Sequence, residues 1–309
     1  MLEKIKESCN YVAQNSQHVT INYGVLDEYI KNIDLKKVKF WLSSNPYNLF
    51  EMPIDKIINF MLVFEAIDYC FWGEPKWTIK TEEGLKDGSD ALLYVLLNYV
   101  KKQDKVDFSN ISLEEFSQIL KGNVEIPYLN ERYETVVSIS KVVNDKMDGS
   151  FYNYIKEVNE DTELLAIIID NFASFYDERE YNGQKVYFYK LAQLLTSDIL
   201  HLKELVTGAK VDYSHLVACA DYKIPQTLRA LGILQYDELL SQIVDNKELI
   251  AFNSIYEVEI RANMIAVISY VNAKVKDACS IDINDYFFLE SKKVKEIVKP
   301  YHLCRNRNY

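Results

Sequence analysis

Glycine is scarce in this chain, with nine residues in 309. No GxxxxGK and no GxGxxG pattern occurs, so neither a phosphate-cradling P-loop nor a dinucleotide-binding turn is expected. Histidine and cysteine are equally thin. The four histidines (His18, His201, His215, His302) never fall in HExxH spacing, and the five cysteines (Cys9, Cys70, Cys219, Cys279, Cys304) form no CxxC pair. An odd, dispersed set of thiols argues against a disulfide framework and against a zinc site, so no metal is expected. No apolar run approaches the roughly 18 residues of a membrane span. The opening stretch Met1–Glu7 reads as an amphipathic helix without the apolar segment of a secretory signal. The expected location is therefore the cytoplasm, with no membrane partner. Basic residues are outnumbered 35 to 46, for a net charge of −11. A nonspecific duplex binder needs a basic surface to displace counterions, so no nucleic-acid polymer is expected as a partner, although a small basic pocket fits within an acidic surface.

What the chain does contain is an ordinary globular composition, 49% hydrophobic and 26% charged. Its length suits one large domain or two intimately packed lobes. The 23 tyrosines are conspicuous, but Ile, Lys and Asn are abundant too, and the set reads as an AT-rich coding composition rather than a base-stacking platform. Helical periodicity dominates. Helices are predicted from Ile57 to Ile67, Ala91 to Val100, Leu113 to Leu120, Tyr128 to Met147, Thr162 to Phe172, Tyr187 to Leu205, Tyr222 to Leu231, Tyr256 to Val275 and Asp285 to Val294. Ser112 with Glu115 forms a capping signature, and Gly149, Gly208 and Gly232 stand where helices should stop. Strand signals are few: Trp77–Lys80, and Tyr181–Val186, whose Asn182-Gly183 marks a tight hairpin. With no repeat, low-complexity tract or Pro/Gly-rich linker, residues 1–309 are expected to form one mostly α unit. Any seam between lobes falls near residues 173–187.

Six short blocks stand out in order along the chain: Phe71-Trp72 with Trp77; Phe188-Tyr189-Lys190-Leu191-Ala192-Gln193; Ala220-Asp221-Tyr222-Lys223-Ile224-Pro225-Gln226; Glu257-Val258-Glu259-Ile260-Arg261-Ala262; Asp285-Tyr286; and the tail Tyr301-His302-Leu303-Cys304-Arg305-Asn306-Arg307-Asn308-Tyr309. In order and approximate spacing they resemble the queuosine salvage proteins, from about Asn15-Ser16 to the last residue. The resemblance implies a compact, bilobal helical fold, similar to the helix-hairpin-helix DNA glycosylases, with one or two short β-hairpins. It implies hydrolysis of the N-glycosidic bond of queuosine 5′-monophosphate, which frees the deazaguanine base queuine for reuse in tRNA modification. No metal or organic cofactor is implied.

Breaking an N-glycosidic bond builds positive charge on the sugar, in a transition state like that of O-glycoside hydrolysis. A carboxylate near the anomeric carbon stabilises that charge and can orient or deprotonate water. Asp221 precedes a helix that Pro225 can start, so on the residues alone it reads first as an N-cap. The resemblance makes it the catalytic carboxylate. Relatives tend to carry Phe where this chain has Cys219, and that ring is implied to stack on the base. An acid can accept two hydrogen bonds from the N1–H and amine of a guanine-like edge, and the resemblance links Asp285 and Tyr286 to queuine binding. Glu290 stands where relatives carry Asp, and is implied to meet the secondary amine or diol of queuine. Phe71 and Trp72, with Trp77, read as core aromatics or as a base-facing wall. A 5′-phosphate needs cations, and Lys190, Lys223 and Arg261 lie inside matched blocks. Lys190 sits on an apolar helix face, where its ammonium needs a partner, and Asp198 is the natural one. Arg261 pairs in sequence with Glu257. The tail residues His302, Arg305 and Tyr309 read as structural closure. Competing readings are a non-catalytic binder of queuine or a related nucleoside, a general purine nucleotide glycosidase, and an α-helical scaffold.

Overall fold

The computed structural model describes residues 1–158, 161–276, 278–293 and 299–309. In chain order, α1 (Leu2–Asn15), β1 (Val19–Ile21) and α2 (Tyr23–Ile30) lead into three short 3-10 turns between Leu35 and Glu51. Then come α3 (Ile54–Ala66), the hairpin β2 (Thr78–Thr81) and β3 (Gly84–Asp87), α4 (Gly88–Val100), α5 (Leu113–Ile119), α6 (Leu129–Lys146), α7 (Phe151–Ile155) and α8 (Leu164–Asn171). The second hairpin, β4 (Glu178–Tyr181) and β5 (Gln184–Tyr187), precedes α9 (Lys190–Thr207) and α10 (Lys223–Ala230). The chain continues through β6 (Leu234–Tyr236), α11 (Glu238–Asp245), β7 (Leu249–Ile250), α12 (Ile255–Lys274), α13 (Ser280–Lys293) and β8 (Leu303–Cys304). The architecture is mostly helical, as the periodicity predicts.

Local chemistry explains the boundaries. Ser112 Oγ accepts from Glu115 N at 3.1 Å to start α5, and Gly208 ends α9 in the left-handed conformation at φ 67°. Asn182 (φ 49°) and Gly183 (φ 75°) both turn left-handed, as a two-residue hairpin loop requires. The strand expected at Trp77–Lys80 is β2, paired to β3 in register Thr78↔Asp87. One boundary needs correcting. The last long helix starts at Ser280, five residues before the expected Asp285, because Asp282 reaches back to accept from Cys279 N at 3.0 Å. The expected end of that helix, Val294, lies outside the described residues. Two pairings have no local signal: β1 with β6, antiparallel with Val19 opposite Tyr236, and β7 with β8, parallel with Leu249 opposite Leu303.

The buried apolar residues form one contiguous core. Helix α12 is buried on nearly every side from Glu257 to Ile268 and packs against α1, α10, α13, β1 and β4. Helix α3 packs against α4, α6, α7 and α9. The polar residues of α12 are therefore interior and must be paired. Glu259 accepts backbone N–H groups from Gln17 (2.8 Å), His18 (2.7 Å) and Val19 (3.0 Å) and the Tyr181 hydroxyl (2.8 Å), which ties the end of α1 to the central helix. Among the described residues, no helix is long and apolar enough to cross a membrane.

Candidate active site

The segment Leu216–Asp221 enters α10 as irregular chain and is held by side chains from three helices. From α9, Gln193 Oε1 accepts from Val217 N at 2.7 Å, and its Nε2 donates to the carbonyls of Ala218 (2.9 Å) and Phe188 (2.8 Å). From α13, Asn284 Oδ1 accepts from Cys219 N at 2.9 Å. From α12, Arg261 Nε donates to the Ala220 carbonyl at 2.9 Å. Each clamp is buried, so each hydrogen bond is made where water cannot compete.

Asp221 is thereby fixed in two roles. Its Oδ1 accepts from Lys223 N (2.9 Å) and Ile224 N (3.0 Å), capping α10. Its Oδ2 has no hydrogen-bond partner among the described residues. Burial pushes the Asp221 carboxyl up, while the two backbone N–H groups, Lys190 and Lys223 pull it back toward ionisation. Cys219 is a neutral thiol held far from ionisation by burial, despite the nearby Lys190 ammonium.

Around this carboxylate lies a dense set of charges. Lys190 opens α9 directly after Tyr189, which is left-handed at φ 51° and whose N–H donates to the Asp177 carbonyl. Lys190 N donates to Asp177 Oδ2 at 3.2 Å. Its ammonium does not meet Asp198, as the helix spacing suggests. It lies 3.6 Å from Asp68 Oδ2 and 3.4 Å from the Asp68 carbonyl, because the chain leaving α3 brings Asp68 to the start of α9 while Asp198 lies two turns further along. Burial would lower the Lys190 ammonium, but Asp68 and its acidic neighbours outweigh burial and hold it above its usual value. Asp198 instead accepts the Trp41 indole N–H on both oxygens, at 3.2 and 3.1 Å, and packs against Glu65. Asp285 is pushed up to about 6 by burial, against the amide of Asn284 at 3.1 Å. Tyr286 meets the Tyr29 hydroxyl at 3.3 Å, and Glu290 lies against the same hydroxyl. Lys223 places its ammonium 4.7 Å from the Tyr301 ring centroid.

Arg261 is absorbed by the fold. Its closest partner is Asp177 (2.6 and 3.0 Å) rather than the expected Glu257 (3.5 Å), and its guanidinium is sandwiched between Phe188 and Tyr309. Phe71 and Trp72 are buried and face the guanidinium groups of Arg132 and Arg305, at 4.8 and 4.6 Å. Arg132 also donates to the carbonyls of Ile67, Tyr69 and Cys70, holding the chain that carries Asp68. Trp77 is a core residue whose indole donates to the Leu120 carbonyl. His302 is buried beside Tyr309, and burial drops its imidazole to about 3, so it is neutral at physiological pH. The tail thus closes the structure, as its sequence suggests.

Sequence reasoning missed Gln193, Asn284, Asp177 and Arg132 as positioning groups, and Glu65, Asp68 and Trp41 as members of the charge cluster. The available signal was an acid inside the apolar run of α3. A separate cavity of about 750 Å³ lies between α6, residues 171–179 and the tail, lined by Tyr69, Tyr128, Arg179, Phe252, Arg305 and Arg307 among others. None of the ten expected site residues lines it. Four of the six blocks converge instead on the acid cluster around Lys190 and Asp221. Among the described residues, no three His, Cys, Asp or Glu side chains are placed to hold a metal ion.

A helical fold that holds a half-buried carboxylate with one unengaged oxygen near an ammonium and a second acid fits the class of nucleoside-bond hydrolases. The chain matches the model of the family described as queuosine salvage protein over residues 48–309, and it belongs to that family. It is similar to a protein of Sphaerobacter thermophilus named queuosine 5′-phosphate N-glycosylase/hydrolase, 33% identical over 82% of each chain. Proteins of the same name from Bos taurus (26% identical; 83% of this chain, 80% of the relative) and Mus musculus (25% identical; 96% and 91%) are similar too.

Proposed function

We propose that this protein hydrolyses the N-glycosidic bond of queuosine 5′-monophosphate, releasing queuine and ribose 5-phosphate. The observation that carries this reading is Asp221: a half-buried carboxylate with one oxygen committed to the start of α10 and the other unengaged, on a loop clamped from three helices. Such a group is preorganised to face positive charge at the anomeric carbon. As C1′–N9 breaks, its electron pair goes to the deazaguanine, which takes up a proton, and water adds its oxygen to C1′. Asp221 stabilises the developing sugar cation and aligns that water. A 7-deazapurine has no N7 to protonate, so hydrogen bonding to the ring carries more of the work. Asp285, with Tyr286, reads the guanine-like edge, and Glu290 meets the diol of the cyclopentenyl arm. Lys190 and Lys223, the cations nearest Asp221, are the candidates for the 5′-phosphate. Cys219 supplies a small neutral contact where relatives carry a ring, and Phe71 and Trp72 support the wall behind Asp68.

The same reading covers the finer architecture. Residues 1–309 form one bilobal domain similar to the helix-hairpin-helix DNA glycosylases, with its seam near 173–187. The protein works in the cytoplasm on a small molecule, without membrane or nucleic-acid polymer and without a cofactor. The test is a chromatographic assay of the purified chain with queuosine 5′-monophosphate, queuosine and guanosine 5′-monophosphate. Free queuine released mainly from the monophosphate is expected. Comparable release of guanine would mean a general purine nucleotide glycosidase, and binding without release would mean a carrier.

A further inference from the structure

Three acids of the cluster have no part in the chemistry above. Glu65 comes from the end of α3 and Asp68 from the chain just after it, and Asp198 comes from the third turn of α9. They are almost wholly buried, at 1%, 9% and 2% exposure. Among the described residues, Lys190 is the one cation ion-paired to any of the three, and its partner is Asp68. Glu65 and Asp198 approach within hydrogen-bond reach of each other. Two carboxyl groups can do so only if one carries a proton and donates to the other. The Trp41 indole decides which. Its N–H donates to both oxygens of Asp198, so Asp198 is the anion and Glu65 the acid.

The arrangement remains short of donors. Glu65 Oε2 and Asp68 Oδ1 are buried with no hydrogen-bond partner among the described residues, and such groups call for a ligand. Asp198 lies within electrostatic reach of Asp285, across the cluster toward Cys219. These facts describe a buried acceptor site, negative in net charge, adjoining the position assigned to the base. It fits a cation that donates hydrogen bonds.

We propose that Asp198, held as a carboxylate by Trp41 and by a protonated Glu65, is the specificity-determining anion that receives the cationic secondary amine on the substrate's 7-substituent. This rests on the substrate reading given above. Glu65 is then a positioning residue, and Glu290 is left to the diol. The two N–H groups of a secondary ammonium supply one donor to the Asp198 anion and one to an unpartnered oxygen of Glu65 or Asp68. A neutral arm leaves them unpaired.

The experiment compares kcat/KM for queuosine 5′-monophosphate and for 7-cyano-7-deazaguanosine 5′-monophosphate, which keeps the ring and phosphate but has a neutral arm. The wild-type chain should prefer the amine-bearing substrate on the order of 100-fold. Asp198→Asn should collapse that ratio toward unity, chiefly through KM. Glu65→Gln can still donate the hydrogen bond to Asp198 and should keep the preference, whereas Glu65→Ala should lose it. Trp41→Phe keeps the ring without the N–H, and should weaken the preference even if Asp198→Asn does not fold. An unchanged ratio in Asp198→Asn, or in Trp41→Phe where that variant must stand in, would overturn the assignment while leaving the hydrolase reading intact. No base release from either substrate by wild type would remove the substrate reading and this proposal with it.

Discussion

Replacing Asp221 by Asn exchanges one oxygen for an amide nitrogen, and the structure separates what should change from what should not. Asn can present its own Oδ1 to Lys223 N and Ile224 N, now at 2.9 and 3.0 Å, so the cap of α10 survives. The nitrogen replaces the oxygen that has no partner. Burial already disfavours the ionised Asp221, so removing the charge relieves the fold rather than straining it. The melting temperature of Asp221→Asn should equal or exceed that of wild type near neutral pH. Turnover should fall on the order of 100- to 1000-fold, the usual loss when a preorganised electrostatic group is removed from a transition state, while queuine still binds. Asp221→Ala is the control. It also discards both cap hydrogen bonds and should cost about 0.5–2 kcal/mol of stability. The assays are base release under saturating substrate, calorimetric titration with queuine, and thermal unfolding of both variants. Wild-type turnover in Asp221→Asn would refute the assignment. An Asp221→Asn protein as unstable as Asp221→Ala would refute the two-role geometry.

The clamps give a second prediction. Asn284→Ala leaves Cys219 N buried without an acceptor and should destabilise the chain by about 1–3 kcal/mol, with kcat reduced further than queuine affinity, as denaturant unfolding and steady-state kinetics would show. Gly122 approaches Trp77 closely, and a Cβ there would lie 2.5 Å from both Trp77 Nε1 and the Thr78 carbonyl. Gly122→Ala should therefore cost about 1–3 kcal/mol in denaturant unfolding, with little change in KM if Trp77 is core only. The buried acids set a pH dependence. Asp285 (about 6) and Glu65, the proton-bearing member of the Glu65–Asp198 pair, are pushed above the usual carboxylate range by burial, so the folded chain binds more protons than the unfolded chain between about pH 4 and 7. Their stabilising contribution is complete below about pH 4 and is lost as pH rises to 7. His302, lowered to about 3, acts in the opposite sense between about pH 3 and 6.5, destabilising as pH falls. Relative to wild type, Glu65→Gln should flatten the loss of stability on the approach to pH 7, and His302→Gln should reduce the loss on the acid side, as unfolding titrations at several pH values would reveal.

Much of the helical plan was legible because it is written locally. The long periodic runs of α6, α9 and α12 carry their own capping signals, and Asn182-Gly183 determines a hairpin from two residues. The start of α13 was misplaced because its signal is an Asp282 side chain reaching backward, not an apolar period. The pairings of β1 with β6 and of β7 with β8 could not be read at all, since strands of two or three residues derive their order from packing across some two hundred and some fifty residues of chain. At the site, Asp221 was visible as a capping acid in an apolar setting. Its clamps were not, because Gln193, Asn284 and Arg261 act from three helices on the backbone of a fourth segment. Lys190 shows the limit most clearly. Helix spacing offered Asp198 as its partner, but its actual partner, Asp68, comes from chain 122 residues away.

The central claim is tested most directly by the crystal structure of Asp221→Asn with queuosine 5′-monophosphate bound. The account predicts C1′ of the ribose beside the side chain at position 221, on the edge not used to cap α10, with the base directed toward Asp285 and its arm toward Asp198. A nucleotide seated instead in the cleft lined by Tyr128, Arg305 and Arg307, with its anomeric carbon remote from position 221, would contradict it.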